Sequence, residues 1–233
     1  LIIEFFSSSL KELNSKIRKC QTMLLSNGSY SAKLINKKDR SKVWEVRKAG
    51  LGLLMGKVGP KKAIAVIEDA VVPVDKLYSY YQEIKSLMQS YNVKAVYYGH
   101  ASVGLIHIRP ELNLSKKKDQ ETMYSIAKDV SKIVKKYRGS LSGEHGDGRI
   151  RAPFLQEQFG KAVYQYFVDL KHVFDPNNLF NPGVILSDKS ILENLRPVVN
   201  QQELTTAFEW KDDLSFYYAV EKCNGAGVCR KSI

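Results

Sequence analysis

Histidines give the first indication of chemistry in this sequence. Three of the four, His100, His107 and His145, lie within or beside short turns that contain glycine, whereas His172 falls in a predicted helix and is interpreted as structural. If a hairpin pairs His100 with His107 directly, their Cβ atoms lie about 4.5–5.5 Å apart. Two imidazoles so placed can bind one divalent cation. A polar cross-strand pair without a metal is the alternative interpretation.

A glycine-rich run, Gly143-Glu-His-Gly-Asp-Gly-Arg149, carries two adjacent titratable side chains between glycines. Glycine allows the backbone to approach a bound molecule closely. Glu144 offers the oxygen that a third metal ligand requires. His145 then remains a neutral imidazole, which is suited to accept a hydroxyl proton near neutral pH. A solvated surface turn is the alternative.

Two further motifs indicate a binding residue and a turn. Arg47, in Trp44-Glu-Val-Arg47, can bind a carboxylate through two parallel hydrogen bonds, with its stem beside the indole. An ordinary arginine on a helix surface is the alternative. Asn181, in Asn181-Pro-Gly183, has the residue types of a helix exit followed by a turn.

The elements that must position these residues follow from hydrophobic spacing. A capping box, Ser9 with Glu12, predicts the start of a helix. The patterns predict strands over 1–6, 30–36, 63–72, 94–100 and 104–109, and helices over 10–24, 38–55, 77–91, 123–137 and 159–174. Because the strands alternate with helices and two form a hairpin, the predicted fold is α+β, an antiparallel sheet flanked by helices.

The composition limits the classes of function. The chain has 233 residues, 44% of them hydrophobic and 26% charged, with only three cysteines. These values exclude disorder and a disulfide framework, and no apolar stretch approaches the roughly 20 residues of a membrane helix. Residues 1–62 hold fourteen Lys or Arg and four Asp or Glu, so they carry +10 of the net +12. A basic module that binds nucleic acid or anionic surfaces is therefore a hypothesis from another class.

The C-terminal segment has weaker hydrophobic periodicity. Residues 1–186 are predicted to form one domain, and 187–233 a connecting tail. Cys223 and Cys229 look like the start of a ligand set, and two thiolates cannot close a four-ligand site. Because the chain opens on an apolar Leu-Ile-Ile-Glu-Phe-Phe run and stops four residues after Cys229, we expect it to be a fragment.

Several of these segments together resemble the C-terminal half of the FAD-linked oxidases of the vanillyl-alcohol oxidase type, in the group of D-lactate, glycolate and D-2-hydroxyglutarate dehydrogenases. The order of the motifs matches as well as their content. The motifs are residues 1–6, Trp44-Glu-Val-Arg47, Ile67-Glu-Asp-Ala-Val-Val-Pro73, Gly99-His100 with His107, Ser142-Gly-Glu-His-Gly-Asp-Gly-Arg149 and Leu179-Phe-Asn-Pro-Gly183.

The resemblance implies a cap or substrate domain, with a ferredoxin-like antiparallel sheet that closes over a flavin bound mainly by an upstream domain. It implies a divalent metal, zinc being favoured, on His100, His107 and Glu144. His145 would be the base and would also lie at the flavin, Arg47 would bind the substrate carboxylate, and Asn181 would lie beside the flavin. We expect the isolated chain to be inactive.

One departure from the family pattern concerns the segment between the two histidines. Many relatives have Gly-Asp-Gly-Asn there, whereas this chain has Ala101-Ser-Val-Gly-Leu-Ile106. With Arg109-Pro110 and the tail cysteines, this variant resembles bacterial fusions to an iron-sulfur domain, which implies a 4Fe-4S cluster begun by Cys223 and Cys229. A lysine that contacts substrate in some relatives falls at Ile67.

The favoured function is therefore D-2-hydroxyglutarate oxidation with hydride transfer to FAD. D-lactate or glycolate is the alternative substrate. The expected partners are the missing flavin and iron-sulfur domains, with a homodimer compatible and no nucleic acid. The expected location is the cytoplasm, or the inner membrane surface by peripheral association.

Overall fold

The computed structural model describes residues 1–56, 59–195, 206–210, 215–221 and 227. The chain divides into two compact units, Leu1–Gly52 and Leu53–Ile233. The helices are α1 (Leu10–Ser26), α2 (Arg40–Met55), α3 (Leu77–Ser90), α4 (Lys117–Lys136), α5 (Leu155–Phe159), α6 (Lys161–Phe174) and α7 (Phe216–Glu221). The strands are β1 (Lys62–Ala63), β2 (Ile67–Val71), β3 (Ala95–His100) and β4 (Leu105–Leu112). No helix among the described residues is long and apolar enough to cross a membrane.

Helix α1 begins where the capping box predicts. The Ser9 hydroxyl accepts a hydrogen bond from the main-chain N–H of Glu12 at 3.4 Å, which partners an N–H at the helix start. Glu12 also pairs with Lys16, four residues on, at 2.5 Å. The predicted helices over 10–24 and 38–55 are thus confirmed as α1 and α2.

The two strands predicted in the first unit, over 1–6 and 30–36, are wrong. Both segments are irregular, and the side chains of Leu1 and Phe6 are exposed to 99% and 74%. A β-strand needs a neighbouring strand for its main-chain hydrogen bonds. The described residues of this unit include no such strand, so the apolar, β-branched composition alone does not produce one.

The second unit is built around β4. Strand β3 runs antiparallel along one edge of β4, β2 lies antiparallel along the other, and β1 pairs with its far end. After α4 the chain returns to the sheet for a single antiparallel bridge between Ser140 and Val71. From β2 onward the element order is that of a ferredoxin-like β-α-β-β-α-β unit, with its last strand reduced to that bridge. The predicted α+β fold is confirmed.

The alternation of side chains along the strands places the core residues and the candidate site residues on opposite faces of the sheet. Successive side chains of a strand point to opposite faces of the sheet. Ile108 of β4 is fully buried in the core that α3 and α4 complete, and its partner Tyr97 packs against the same core. His107 and Arg109 therefore belong to the opposite face, with Tyr98 across from His107. The helix core consists mainly of Tyr80, Ile84, Met88, Met123, Ile126, Val130 and Val134.

The hairpin is confirmed, but its predicted register is wrong. His100 pairs with Leu105, and His107 pairs with Tyr98, so the two histidines are diagonal neighbours. The loop that joins β3 to β4 consists of a short 3-10 turn followed by Gly104. This loop is shorter than the one that a direct pairing of the histidines requires. Gly104 has φ +76°, and a Cβ there would lie 1.9 Å from the carbonyl oxygen of Val72. Only glycine fits this turn without a backbone shift.

The strand predicted over 63–72 is divided into β1 and β2, and β2 contains a bulge. Ile67 pairs with Ile108 and Ala70 with Ile106, so β2 has one residue more than β4 between the two pairs. Both Ile67 and Ala70 are buried in the core. The bulge therefore places two consecutive acids, Glu68 and Asp69, between two core residues.

The last predicted helix, over 159–174, is interrupted at its start. Gly160 has φ +82° and separates α5 from α6, which otherwise spans the predicted residues. No residue of α6 is buried, although its spacing is amphipathic. Within the second unit, several of its apolar side chains are exposed: Val163, Tyr166, Leu170, Val173 and Phe174. Beyond residue 186, Ile191 is buried in the core.

Candidate metal centre and its supporting residues

The four side chains that the sequence singled out as metal ligands or base meet at the face of the sheet opposite the helices. His100 ends β3, His107 lies within β4, and Glu144 with His145 follows α4. The Nε2 atoms of His107, His145 and His100 lie 3.4, 3.3 and 3.7 Å from one oxygen, Oε1 of Glu144. The diagonal register does not separate the histidines, because the His100 and His107 ring centroids are 5.6 Å apart.

Asp69 holds the loop that carries Glu144 and His145. Its fully buried carboxylate accepts hydrogen bonds from the Ser142 hydroxyl (2.6 Å) and from the main-chain N–H groups of Gly143 (3.0 Å), Glu144 (3.2 Å) and His145 (2.9 Å). Burial alone would raise the pKa of Asp69, but these bonds, and the nearby Arg151 guanidinium, lower it overall. Asp69 is therefore an ionised, internal anchor for the loop.

Close packing fixes the distance between this loop and the sheet. A Cβ on Gly143 would lie 2.5 Å from Leu105 Cδ1 and 3.3 Å from the carbonyl oxygen of Asp69. On the loop's other side, Arg151 donates to the carbonyl oxygen of Gly146 at 2.6 Å. The loop is thus bound at both ends, which positions Glu144 between them.

His107 has the protonation state that a metal ligand needs. Its Nδ1 hydrogen-bonds the main-chain carbonyl oxygen of Glu68, which can only accept, so Nδ1 carries the proton and Nε2 is free. Burial lowers the pKa of His107, and neighbouring His145 lowers it further, against the opposing effects of the Glu68 hydrogen bond and Glu144. A lowered pKa keeps the imidazole neutral at pH 7.

The Glu68 side chain connects the cluster to a buried arginine. One carboxylate oxygen lies 3.1 Å from Nδ1 of His145, and the other pairs with Arg109 at 2.5 Å. Arg109 is buried and also donates from Nε to the Tyr98 hydroxyl at 2.9 Å. The Tyr98 ring packs against His107, with centroids 4.7 Å apart.

The donor set fits a tetrahedral divalent ion. Two ligand atoms about 2.0–2.1 Å from such an ion lie about 3.3–3.4 Å apart. The Nε2 atoms of His107 and His145 lie at this distance from Glu144 Oε1, and that of His100 lies 3.7 Å from it. Ligand atoms of Asp69, His107, Glu144 and His145 lie within 4.8 Å of one another, and His100 is not a member of this group. Asp69 is unsuited as a ligand, however, because its carboxylate already accepts four hydrogen bonds. Two histidine nitrogens and a glutamate oxygen are suited to zinc.

The remaining candidates belong to other segments of the chain. Arg47 lies in α2 of the first unit, and its role remains a prediction. Asn181 follows α6 with φ +47°, in a segment that a hydrogen bond from Ile185 N to Gly148 O (2.9 Å) joins to the glycine-rich loop. Its proximity to a flavin also remains a prediction. Cys223 and Cys229 lie outside the described residues.

Asp175 organises the turn that leads to Asn181. Its carboxylate accepts hydrogen bonds from the N–H groups of Leu179 (2.8 Å) and Phe180 (2.9 Å) and contacts the Lys171 ammonium. The Lys171 hydrogen bond has the largest effect on the pKa of Asp175, and with the two N–H bonds it lowers this pKa to about 2 against the opposing effect of burial. The turn is therefore held by an ionised side chain.

Acid is expected to weaken this turn. Because folding depresses the pKa of Asp175 from about 3.9 to about 2, the stabilisation is complete above pH about 4 and is lost as pH falls towards 2. Denaturant unfolding between pH 2 and 5 should show a smaller pH dependence for Asp175→Asn than for the parent. Exposed Asp188→Asn is the control. Equal pH dependence in parent and Asp175→Asn would contradict the assignment.

Sequence interpretation missed three residues that support the centre: Glu68, Asp69 and Arg109. Their signal was present, because a charged residue inside an otherwise apolar strand is rarely buried unless it is paired. Glu68 and Asp69 interrupt an apolar run, and Arg109 does so in β4. Buried ion pairs of this kind indicate either a structural anchor or a site.

Comparison with known proteins gives a family and several relatives. The family model for FAD linked oxidases, C-terminal domain, matches residues 1–185. The D-2-hydroxyglutarate dehydrogenase of Haemophilus influenzae is 30% identical over 192 residues, which cover 81% of this chain and 18% of that protein. The Pseudomonas putida D-2-hydroxyglutarate dehydrogenase is 30% identical over 238 residues, 98% of this chain and 23% of that protein. A D-lactate dehydrogenase of Archaeoglobus fulgidus is 29% identical over 150 residues, 64% and 32% of the two chains.

The chain spans less than a quarter of the length of these two D-2-hydroxyglutarate dehydrogenases. The family match nevertheless covers most of the chain, including both strands and the loop that carry the candidate centre. The chain therefore belongs to the FAD linked oxidases, as their C-terminal domain.

Proposed function

We propose that this chain is the substrate-binding part of an FAD-dependent D-2-hydroxyacid dehydrogenase, with D-2-hydroxyglutarate as the favoured substrate. The observation that carries the proposal is the convergence of three imidazoles on one carboxylate oxygen, within a domain of the FAD linked oxidases. The activities named for the relatives support the substrate class, since they are D-2-hydroxyglutarate and D-lactate dehydrogenases.

In this proposal His100, His107 and Glu144 hold a divalent ion, zinc being favoured. Such an ion supplies Lewis acidity, which favours loss of the substrate hydroxyl proton. His145 accepts that proton at Nε2, because its Nδ1 faces the Glu68 carboxylate. Arg47 binds the substrate carboxylate and thereby orients the α-carbon.

FAD is the cofactor that the family implies, and when bound it would supply the acceptor for the hydride of the α-carbon. Asn181 and His145 are the residues of this chain that we place beside it. Leu179 and Phe180, both exposed just before Asn181, offer an apolar surface of the kind that packs on a ring system. Most of the flavin contacts are assigned to another domain of the protein.

An iron-sulfur cluster and a cellular location are two further parts of this proposal. Cys223 and Cys229 would begin the ligand set of a 4Fe-4S cluster, which would supply an electron-transfer centre, and an iron-sulfur domain is accordingly the expected partner. A cytoplasmic location, with peripheral contact at the inner membrane as the alternative, is proposed with it. The support is the resemblance of the tail that holds the two cysteines, together with Arg109-Pro110 and the segment between the histidines, to the fusion proteins.

A substrate comparison on the complete flavoprotein tests the function. The protein should oxidise D-2-hydroxyglutarate to the 2-oxo acid, with a higher kcat/KM than for D-lactate or glycolate, when an artificial dye accepts the electrons. A preference for D-lactate or glycolate would keep the reaction class and replace the favoured substrate. Failure of the flavin to be reduced by any of the three acids would reject the proposal.

Arg47→Ala in that protein is expected to lower kcat/KM for D-2-hydroxyglutarate by about 30- to 150-fold. This corresponds to about 2–3 kcal/mol, the range for losing a hydrogen bond between charged groups. Steady-state kinetics provide the measurement, and Lys48→Ala, the adjacent cation of α2, is the control. Unchanged efficiency in the Arg47 variant would remove this residue from the substrate site.

A further inference from the structure

Glu68 contacts two imidazoles of the centre through two different groups. Its main-chain carbonyl oxygen hydrogen-bonds Nδ1 of His107, and its carboxylate lies 3.1 Å from Nδ1 of His145. The two rings are stacked, with centroids 5.3 Å apart and an interplanar angle of 12°. Glu68, which lies in the bulge, therefore contacts Nδ1 of both rings.

We propose that Glu68 is a positioning residue that fixes the tautomers of His107 and His145, leaving Nε2 of both rings unprotonated towards Glu144. A carbonyl oxygen and an ionised carboxylate can only accept hydrogen bonds, so each imidazole must donate from Nδ1. Neutral imidazole carries one ring proton, and Nε2 is then a lone-pair donor. In both rings Nε2 lies near Oε1 of Glu144, at 3.4 and 3.3 Å, but makes no hydrogen bond to it, so Nδ1 is the nitrogen whose hydrogen bond fixes the proton.

Arg109 holds the Glu68 carboxylate in the required orientation. Arg109 pairs with the oxygen of Glu68 that does not face His145, and its Nε is bound to the Tyr98 hydroxyl. Both charged side chains are largely buried, with 9% of Arg109 and 14% of Glu68 exposed. Because guanidinium cannot lose its proton in proteins, Glu68 always meets a donor on that side. Its other oxygen is therefore left for His145.

The catalytic meaning of this arrangement rests on the proposed function, in which Nε2 of His107 is a ligand atom and Nε2 of His145 accepts a proton. The tautomers themselves do not depend on it. An imidazole held in the wrong tautomer is a severe defect, because a carboxylate-to-amide change that preserves geometry costs about 10⁴-fold in a serine-protease triad.

Glu68→Gln tests the assignment with little change in shape. The amide has one accepting oxygen, and permanently charged Arg109 is expected to take it. The amide NH₂ then faces Nδ1 of His145, which must accept and so transfers its proton to Nε2. His107 should not change, because its acceptor is the main-chain oxygen of residue 68.

The measurement is the ¹⁵N chemical shift of the imidazole nitrogens in the histidine-labelled 233-residue chain, freed of metal by a chelator, at a pH where the rings are neutral. With four histidines in the chain, single His→Gln variants assign the signals. The parent should show Nδ1–H for His107 and His145. Glu68→Gln should exchange the shifts of the two nitrogens in His145 alone, whereas Glu83→Gln, on the α3 surface, should change neither ring.

The Glu68→Ala variant provides a second, independent test. It keeps the main-chain oxygen and removes the carboxylate, so His107 should stay Nδ1-protonated while His145 changes to a mixture of tautomers. The proposal is overturned if parent His145 carries its proton on Nε2, or if neither Glu68 variant alters it. Because no substrate or flavin is present, a failed hydroxy-acid assay would reject the proposed function and leave this assignment intact.

Discussion

Asparagine in place of Asp69 is expected to lower the free energy of unfolding by about 3–5 kcal/mol. The fully buried carboxylate accepts four hydrogen bonds, three of them from the main-chain N–H groups of Gly143, Glu144 and His145. An amide in its place has a single accepting oxygen and points its NH₂ at other donors. The same change removes the negative charge opposite buried Arg151.

Denaturant unfolding of the 233-residue chain measures this effect, and Asp75→Asn serves as the control because Asp75 is exposed beside Lys76. The control should lie within about 0.5 kcal/mol of the parent. A loss below about 1 kcal/mol for Asp69→Asn would show that the loop does not depend on this carboxylate. We also expect Asp69→Asn to impair metal binding, because Glu144 would lose its fixed position.

Removal of the His107 imidazole is expected to abolish stoichiometric metal binding. His107 is the most buried of the three proposed ligands, with 4% of its side chain exposed compared with 48% for His100 and 45% for Glu144. Changes to residues that merely orient metal ligands weaken binding by 10–100-fold. His107→Ala deletes a ligand, so we expect a loss of affinity larger than about 100-fold.

Elemental analysis of the purified, tag-free chain provides the measurement, with one divalent ion per parent chain and none in His107→Ala. His172→Ala is the matched control, because His172 lies exposed in α6 and takes no part in the centre. Equal metal content in parent and His107→Ala would exclude His107 as a ligand. Absence of metal from the parent would mean that this chain alone does not form the site.

Local spacing was sufficient to predict much of the second unit. Met123, Ile126, Val130 and Val134 recur at helical intervals, and all four are buried in α4. The hairpin followed from two apolar runs with a short connection, and the histidines met even though the register was wrong. Diagonal neighbours on one face of a hairpin are still close enough for long side chains to meet. An error of this kind in the predicted pairing therefore still leaves both histidines on the same face of the hairpin, where they can form one site.

Contacts between distant segments could not be predicted in the same way. Asp69 bonds to residues 73–76 positions later, and Glu68 reaches Arg109 across the sheet. No local pattern encodes these partners, since they depend on how β2, β4 and the loop pack. The strand expected at residues 1–6 fails for a related reason. Its composition favours a strand, but pairing depends on a neighbour that the described part of its unit does not provide.

The bulge in β2 can also be considered as the insertion of one residue into a regular strand. Ile67 and Ala70 both face the core, although regular alternation would place residues three apart on opposite faces. A chain shorter by one residue here would keep both in the core on a regular strand, with one acid between them. That single carboxylate would have to serve either the main chain of the loop or the ring of His145. The extra residue is thus dispensable for the hydrophobic core, and it is the source of the second acid on which the centre depends.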